Sequence, residues 1–139
     1  MRNKIYFGRP INVYGTELEK RILEKIAATF PEFEIENPGE ERHKEEYLRW
    51  KQETGSGMDY FFKKVLPGCN AGVFLPFRDG AWGAGVFGEA EVLTNQGCPI
   101  YQITAEGVIT WVNLDKIRVL TIEETISRIR TKTGETVPY

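Results

Sequence analysis

Acids and glycines crowd one stretch of this chain, Phe77-Arg-Asp-Gly-Ala-Trp-Gly-Ala-Gly-Val-Phe-Gly-Glu-Ala-Glu91. Gly80, Gly83, Gly85 and Gly88 let backbone come close to a ligand, and Asp79, Glu89 and Glu91 bring carboxylates to the same turn. A carboxylate nucleophile with a second carboxyl group as proton donor is the arrangement that breaks glycosidic bonds through an oxocarbenium-like transition state. Glu89, near the start of a helix, suits the nucleophile, because the helix dipole and free backbone N–H groups favour its ionised form. Asp79 in the preceding loop and Asp59 further upstream are the available partners. Any one of these acids, taken alone, reads equally well as a helix cap or a solvated charge.

A second group of residues, Tyr6-Phe-Gly-Arg-Pro10, follows the first apolar run and so borders the same crevice if that run is a strand. Tyr6 can hydrogen-bond a carboxylate, Arg9 can bind a phosphate or carboxylate of the ligand, and Gly8 and Pro10 shape the turn. Trp82 offers an indole to stack on a nucleobase, or else packs over the end of the sheet. Trp50 and Trp111 read as core or hairpin-face residues.

Other chemistries fit less well. Gly83, Gly85 and Gly88 make a G-x-G-x-x-G pattern, but the dinucleotide fingerprint follows the first strand and this one follows a later one. The single histidine, His43, sits in Glu-Arg-His-Lys-Glu-Glu and reads as a surface residue, which argues against Ser-His-Asp or Cys-His catalysis. Cys69 and Cys98 with one histidine do not make a structural zinc site, and both thiols are expected to be reduced.

The elements that must position these residues alternate along the chain. Lys4 to Phe7 is a short apolar strand, and Thr16 to Phe30 carries Leu18, Ile22, Leu23 and Ile26 at helical spacing. Phe33 to Ile35 is a second strand, stopped by Asn37-Pro38-Gly39. Glu40 to Gln52 is a charged, mostly exposed helix broken at Gly55-Ser56-Gly57. A further helix from about Met58 to Leu66 presents Phe61, Phe62, Val65 and Leu66 as core residues. Ala71 to Leu75 is a strand covered on both faces. After the glycine-rich turn comes a helix to Asn95, then a hairpin of Pro99 to Thr104 with Val108 to Val112. Ile117 to Leu120 is a last short strand, and Thr121-Ile-Glu-Glu124 has capping-box form at the start of a final helix.

Such alternation predicts an α/β fold, a small three-layer flavodoxin-like or Rossmann-like domain with a mainly parallel sheet of about five strands. With 139 residues, 41% of them hydrophobic, one domain over residues 1–131 is expected, followed by a loose tail at 132–139. The net charge of −2 gives no basic excess for a nucleic acid polymer and no polybasic segment for a membrane surface. The apolar run at the N-terminus is too short for a signal peptide or a membrane span, so a cytoplasmic protein is expected.

On three motifs the chain resembles the nucleoside 2-deoxyribosyltransferase-like family, which includes deoxyribosyltransferases and nucleotide N-glycoside hydrolases. Lys4-Ile-Tyr-Phe-Gly-Arg-Pro10 resembles that family's opening strand and turn, Ala71-Gly-Val-Phe-Leu-Pro76 the strand before its catalytic loop, and Gly85-Val-Phe-Gly-Glu-Ala90 the start of its nucleophile helix. The resemblance implies that Glu89 attacks the anomeric carbon, Asp59 serves proton transfer or positions the sugar, Asp79 stands in for an acid six residues before the nucleophile, where this chain has Gly83, and Tyr6 orients Glu89. It also implies a nucleoside or nucleotide substrate, no cofactor, and a homodimer or larger homo-oligomer. Aligned on Gly83-Ala-Gly85 instead, Phe87 takes the place of the glutamate and Glu91 is the remaining acid. Two further readings stand beside the enzyme: a nucleotide sensor with the same pocket, and a partner surface on the charged helix around Trp50.

Overall fold

The computed structural model describes residues 3–55 and 59–139. Five strands form one sheet: β1 (Asn3–Gly8), β2 (Phe33–Glu36), β3 (Ala71–Phe74), β4 (Ile100–Ile103) and β5 (Ile109–Trp111). Their order is β2-β1-β3-β4-β5, parallel throughout except for β5, which pairs with β4 as an antiparallel hairpin. The sheet is therefore mixed, with the reversed strand at its edge, where a short turn at Gly107 (φ 85°) returns the chain.

The side-chain period of two divides the core between the sheet's faces. Ile5 and Phe7 of β1, Ala71 and Val73 of β3, and Leu75 just beyond it, pack beneath α1 (Glu17–Thr29) through its Ile22 and Ile26. Tyr6 and Phe74 point to the opposite face. There they meet Val86, Ala90 and Leu93 of α3 (Ala84–Asn95), with α2 (Glu41–Thr54) packing alongside through Tyr47 and Trp50. Helices thus cover both sides of the sheet. Thr16 caps α1 through Glu19 N–H, and Thr121 and Glu124 form the expected capping box of α4 (Ile122–Ile129).

Several expectations are corrected. Ile117 to Leu120 is no strand of the sheet; its backbone meets Trp82 in a single parallel bridge, with Trp82 N–H donating to Arg118 O at 2.9 Å and Leu120 N–H to Trp82 O at 2.9 Å. The helix expected from Met58 to Leu66 is, from Phe61 to Val65, a wider π turn that runs into a 3-10 turn at Leu66–Gly68; Ser56, Gly57 and Met58 themselves lie outside the described residues. His43 is not a surface residue but is 2% exposed. Of the two readings of Trp111, the hairpin face holds: it pairs with Tyr101 in β4 and is 75% exposed. Trp50 packs partly against the core, as expected, and donates its indole N–H to Asp59 at 3.0 Å.

The segment read as a loose tail folds back over the molecule. Val137 N–H donates to Ile129 O at 2.7 Å, Asn12 Nδ2 donates to Val137 O at 2.9 Å, and Tyr139 stacks on Phe77 with ring centroids 6.3 Å apart. The Tyr139 hydroxyl donates to Pro76 O and the Arg78 guanidinium lies 4.7 Å from the Tyr139 ring centre. Aromatic area with a polar tip and a covering cation outweighs the entropy of a short tail. Tyr139→Ala is accordingly expected to lower stability by about 1–2 kcal/mol, read as a shifted urea midpoint with an unchanged slope.

Cys69 and Cys98 are free thiols, and burial pushes Cys69 up to about 12, so its thiolate is suppressed. No helix among the described residues is long and apolar enough to cross a membrane.

Candidate active site

Strand order decides where a ligand can sit. From β1 the chain passes to β2 on one side and later to β3 on the other, and this reversal opens a crevice beyond the carboxyl ends of β1 and β3. A cleft of about 360 Å³ occupies that place. Its wall takes Tyr6, Arg9 and Pro10 from the end of β1, Phe77 from beyond β3, Gly83, Gly85 and Glu89 from the start of α3, and Thr125 from α4.

Tyr6 and Glu89 meet in the cleft: the Tyr6 hydroxyl donates a hydrogen bond to Glu89 Oε2. Gly8 makes the approach possible, because a Cβ there would stand 2.5 Å from Phe74 Cδ1 and 3.2 Å from Glu89 Oε1. Oε1 accepts no hydrogen bond among the described residues. Burial is the main force on the carboxyl group and lifts it to about 7, against the opposing pull of the Tyr6 hydrogen bond and of Arg9. The residue is half-buried, and its carboxyl group is crowded by the largely apolar wall of the cleft, which sets its acidity. Tyr6 is raised well above the ordinary phenol range, first by burial and then by the facing carboxylate.

The expectation that the helix start would hold Glu89 ionised is overturned. Glu89 lies beyond the first turn of α3, whose open N–H groups are those of Ala84 to Val86, and desolvation dominates. No side chain of α3 caps its start, but Thr125 Oγ1 accepts from Ala84 N–H at 3.0 Å across the cleft floor. Of Glu89, Phe87 and Glu91, Glu89 lines the cleft, Phe87 packs toward the core and Glu91 is exposed.

The remaining residues divide. Gly83 and Gly85 line the cleft, while Gly88 lies against Phe62, whose Cζ would be 3.4 Å from an added Cβ. Arg9 lines the cleft without being free for an anion. Its Nε and Nη2 donate to Glu19 Oε2 at 3.1 and 2.7 Å, its Nη1 donates to Phe7 O at 3.3 Å, and its guanidinium is sandwiched between Phe7 and Tyr14 at 4.7 and 4.1 Å. Trp82 does not await a base: it is fully buried, its indole N–H donates to Gln102 Oε1 at 3.1 Å and its ring packs on Phe74 at 5.6 Å.

Neither partner carboxylate reaches the cleft. Asp59 accepts from Trp50 and pairs with Lys63 Nζ at 2.9 Å, the lysine bond being the chief reason its carboxyl group is held below the usual range. Asp79 binds Arg128 in a two-pronged pair at 2.7 and 2.8 Å and Arg118 at 2.6 Å, which holds it far below that range, the Arg128 bonds contributing most. It lines a separate groove with Arg78 and Tyr139.

Sequence reasoning missed the apolar half of the site: Ile11, Tyr14, Phe61, Phe62, Phe77 and Ile129. Phe61 and Phe62 follow helical spacing with Val65 and Leu66 and do pack against the core, and no local pattern marks that the same two rings also line a cleft. Among the described residues no group of three or more His, Cys, Asp or Glu side chains converges to hold a metal.

No family model, no curated protein and no solved structure matches this chain.

Proposed function

We propose that the protein cleaves the N-glycosidic bond of a nucleoside or nucleotide, with Glu89 as the nucleophile. The observation that carries this reading is the Tyr6 to Glu89 hydrogen bond inside an aromatic-walled cleft at the reversal point of the sheet. Tyr6 fixes Oε2 and leaves Oε1 to attack the anomeric carbon. The C–N bond breaks with its electron pair going to the base, and a glycosyl ester forms on Glu89, to be resolved by water or by a second base. Phe61, Phe62 and Tyr14 offer apolar surface to the base and sugar. With Asp59 and Asp79 engaged elsewhere, the proton taken up by the departing base is supplied by solvent or by the base's own prior protonation.

The three-layer flavodoxin-like form belongs to the same proposal, supported by the strand order β2-β1-β3-β4-β5 with helices on both faces. So do the homo-oligomer, supported by the exposed apolar residues Ile122 and Ile126 of α4 beside the cleft, and the cytoplasmic compartment, supported by two free thiols. A second reading, a sensor that binds a nucleotide without turnover, is favoured by one observation: Glu89 is the only carboxylate lining the cleft among the described residues.

The test is incubation with a panel of 2-deoxynucleosides and their monophosphates, with chromatography for free base. Release is expected, and its rate is expected to rise with pH through about 7, where Glu89 ionises. Tight binding without release supports the sensor; neither binding nor release rejects both.

A further inference from the structure

The buried polar cluster beside β2 takes no part in the chemistry above. Glu36 closes β2 and is 3% exposed. His43, on α2, places Nε2 2.5 Å from Glu36 Oε1 and Nδ1 3.0 Å from the Tyr60 hydroxyl. Tyr60, 1% exposed, donates onward to Glu46 Oε2 at 2.8 Å. Arg42 and Lys4 hold Glu36 from outside, Lys4 at 3.4 Å. Three separate segments, the end of β2, the first half of α2 and the residue before the π turn, are thus tied at one imidazole. Once buried, such groups lose heavily if one partner is removed.

The line continues into the cleft. Tyr60 directly precedes the π turn, and the Phe61 ring stands edge-on to both Tyr60 and His43, at 4.9 and 5.7 Å. Phe61 and Phe62 line the cleft, and Phe62 rests on Gly88, the residue before Glu89. A π turn widens the helix by closing i→i+5 hydrogen bonds and is an uncommon form, frequent at functional sites. Here it delivers two consecutive aromatics to one wall.

We infer that His43, bridging Glu36 and Tyr60, is a positioning residue for the aromatic wall of the cleft: it fixes the turn that carries Phe61 and Phe62 and thereby sets how tightly the cleft holds its ligand. The kinetic part of this inference rests on the proposed glycosidic reaction; the structural part does not.

The experiment therefore has two readouts on Tyr60→Phe, which keeps the ring and deletes only the hydroxyl, with His43→Gln as the companion variant. In the first, Phe62 is replaced by 4-fluorophenylalanine and observed by fluorine NMR, with Phe30 on the far face of the sheet labelled as control. The signal at position 62 is expected to move by more than its linewidth, with the signal at position 30 unmoved. In the second, the KM for a cleaved deoxynucleoside is expected to rise about tenfold while kcat and the pH dependence of release stay as in the wild type, since Tyr6 and Glu89 stand on other elements. An unmoved position-62 signal in folded Tyr60→Phe overturns the inference, as does a fall in kcat at unchanged KM. Should the wild type cleave no nucleoside, the reaction alone falls, and the fluorine signals still decide whether His43 and Tyr60 position the wall.

Discussion

Glu89→Gln is expected to reduce base release by a factor on the order of 10³ or more and, at neutral pH, to make the fold more stable. Both effects come from the same burial. An amide cannot form the glycosyl ester, so chemistry stops, while the Tyr6 hydroxyl still finds an oxygen to donate to. The stability gain follows from the direction of the shift. Glu89 is raised from 4.5 to about 7 in the folded protein, so the native state holds this proton more tightly than the unfolded chain does. The wild type therefore loses stability as pH rises from the unfolded value to the folded one, and below that window the carboxyl group is neutral in both states. The advantage of Glu89→Gln should be absent at pH 4, grow through this interval and level off above it, at most on the order of 3 kcal/mol. Urea titrations at pH 4 and pH 8 check it. Equal stability of the two proteins at pH 8 would mean that Glu89 is solvated, and with that the argument for a tuned nucleophile would fail.

Trp82→Ala is expected to cost about 3–5 kcal/mol, the largest single loss of stability in this protein. The indole is fully buried in the cluster that also holds Phe74, and its N–H satisfies Gln102. Its backbone also ties the start of α3 to the segment leading to α4. Trp82→Phe should recover much of the loss, and base release by the folded fraction at low temperature should match that of the wild type. If instead Trp82→Phe folds normally but binds nucleoside poorly, the indole is a ligand contact after all.

The alternation of strands and helices was legible in the sequence because continuous apolar runs such as Ala71 to Leu75 are buried on both faces, whereas Leu18, Ile22 and Ile26 mark one stripe. The capping box at Thr121 was equally plain, since it is a local reciprocal bond. What local pattern does not encode was missed. His43 lies among charges on an otherwise exposed helix, and only the arrival of Glu36 and Tyr60 from other segments buries it. Arg9 reads as a free cation until Glu19, one helical approach away, takes two of its donors. Tyr6 and Glu89 were picked out together by their chemistry and by a family resemblance, and the chain crossing that unites them is a long-range property of the sheet.

That crossing also orders events in time. Ile5 of β1 pairs with Ile35 through a short local excursion, but its other neighbour is Ala71, and Glu89 lies further along still. On a ribosome, β1, α1 and β2 can assemble early, leaving one apolar edge of β1 waiting for β3. The cleft, whose wall takes residues as far along as Ile129, thus closes only after β3, α3 and α4 have emerged, and whatever guards that edge in the interval, a chaperone or simply speed, bears directly on the yield of folded protein.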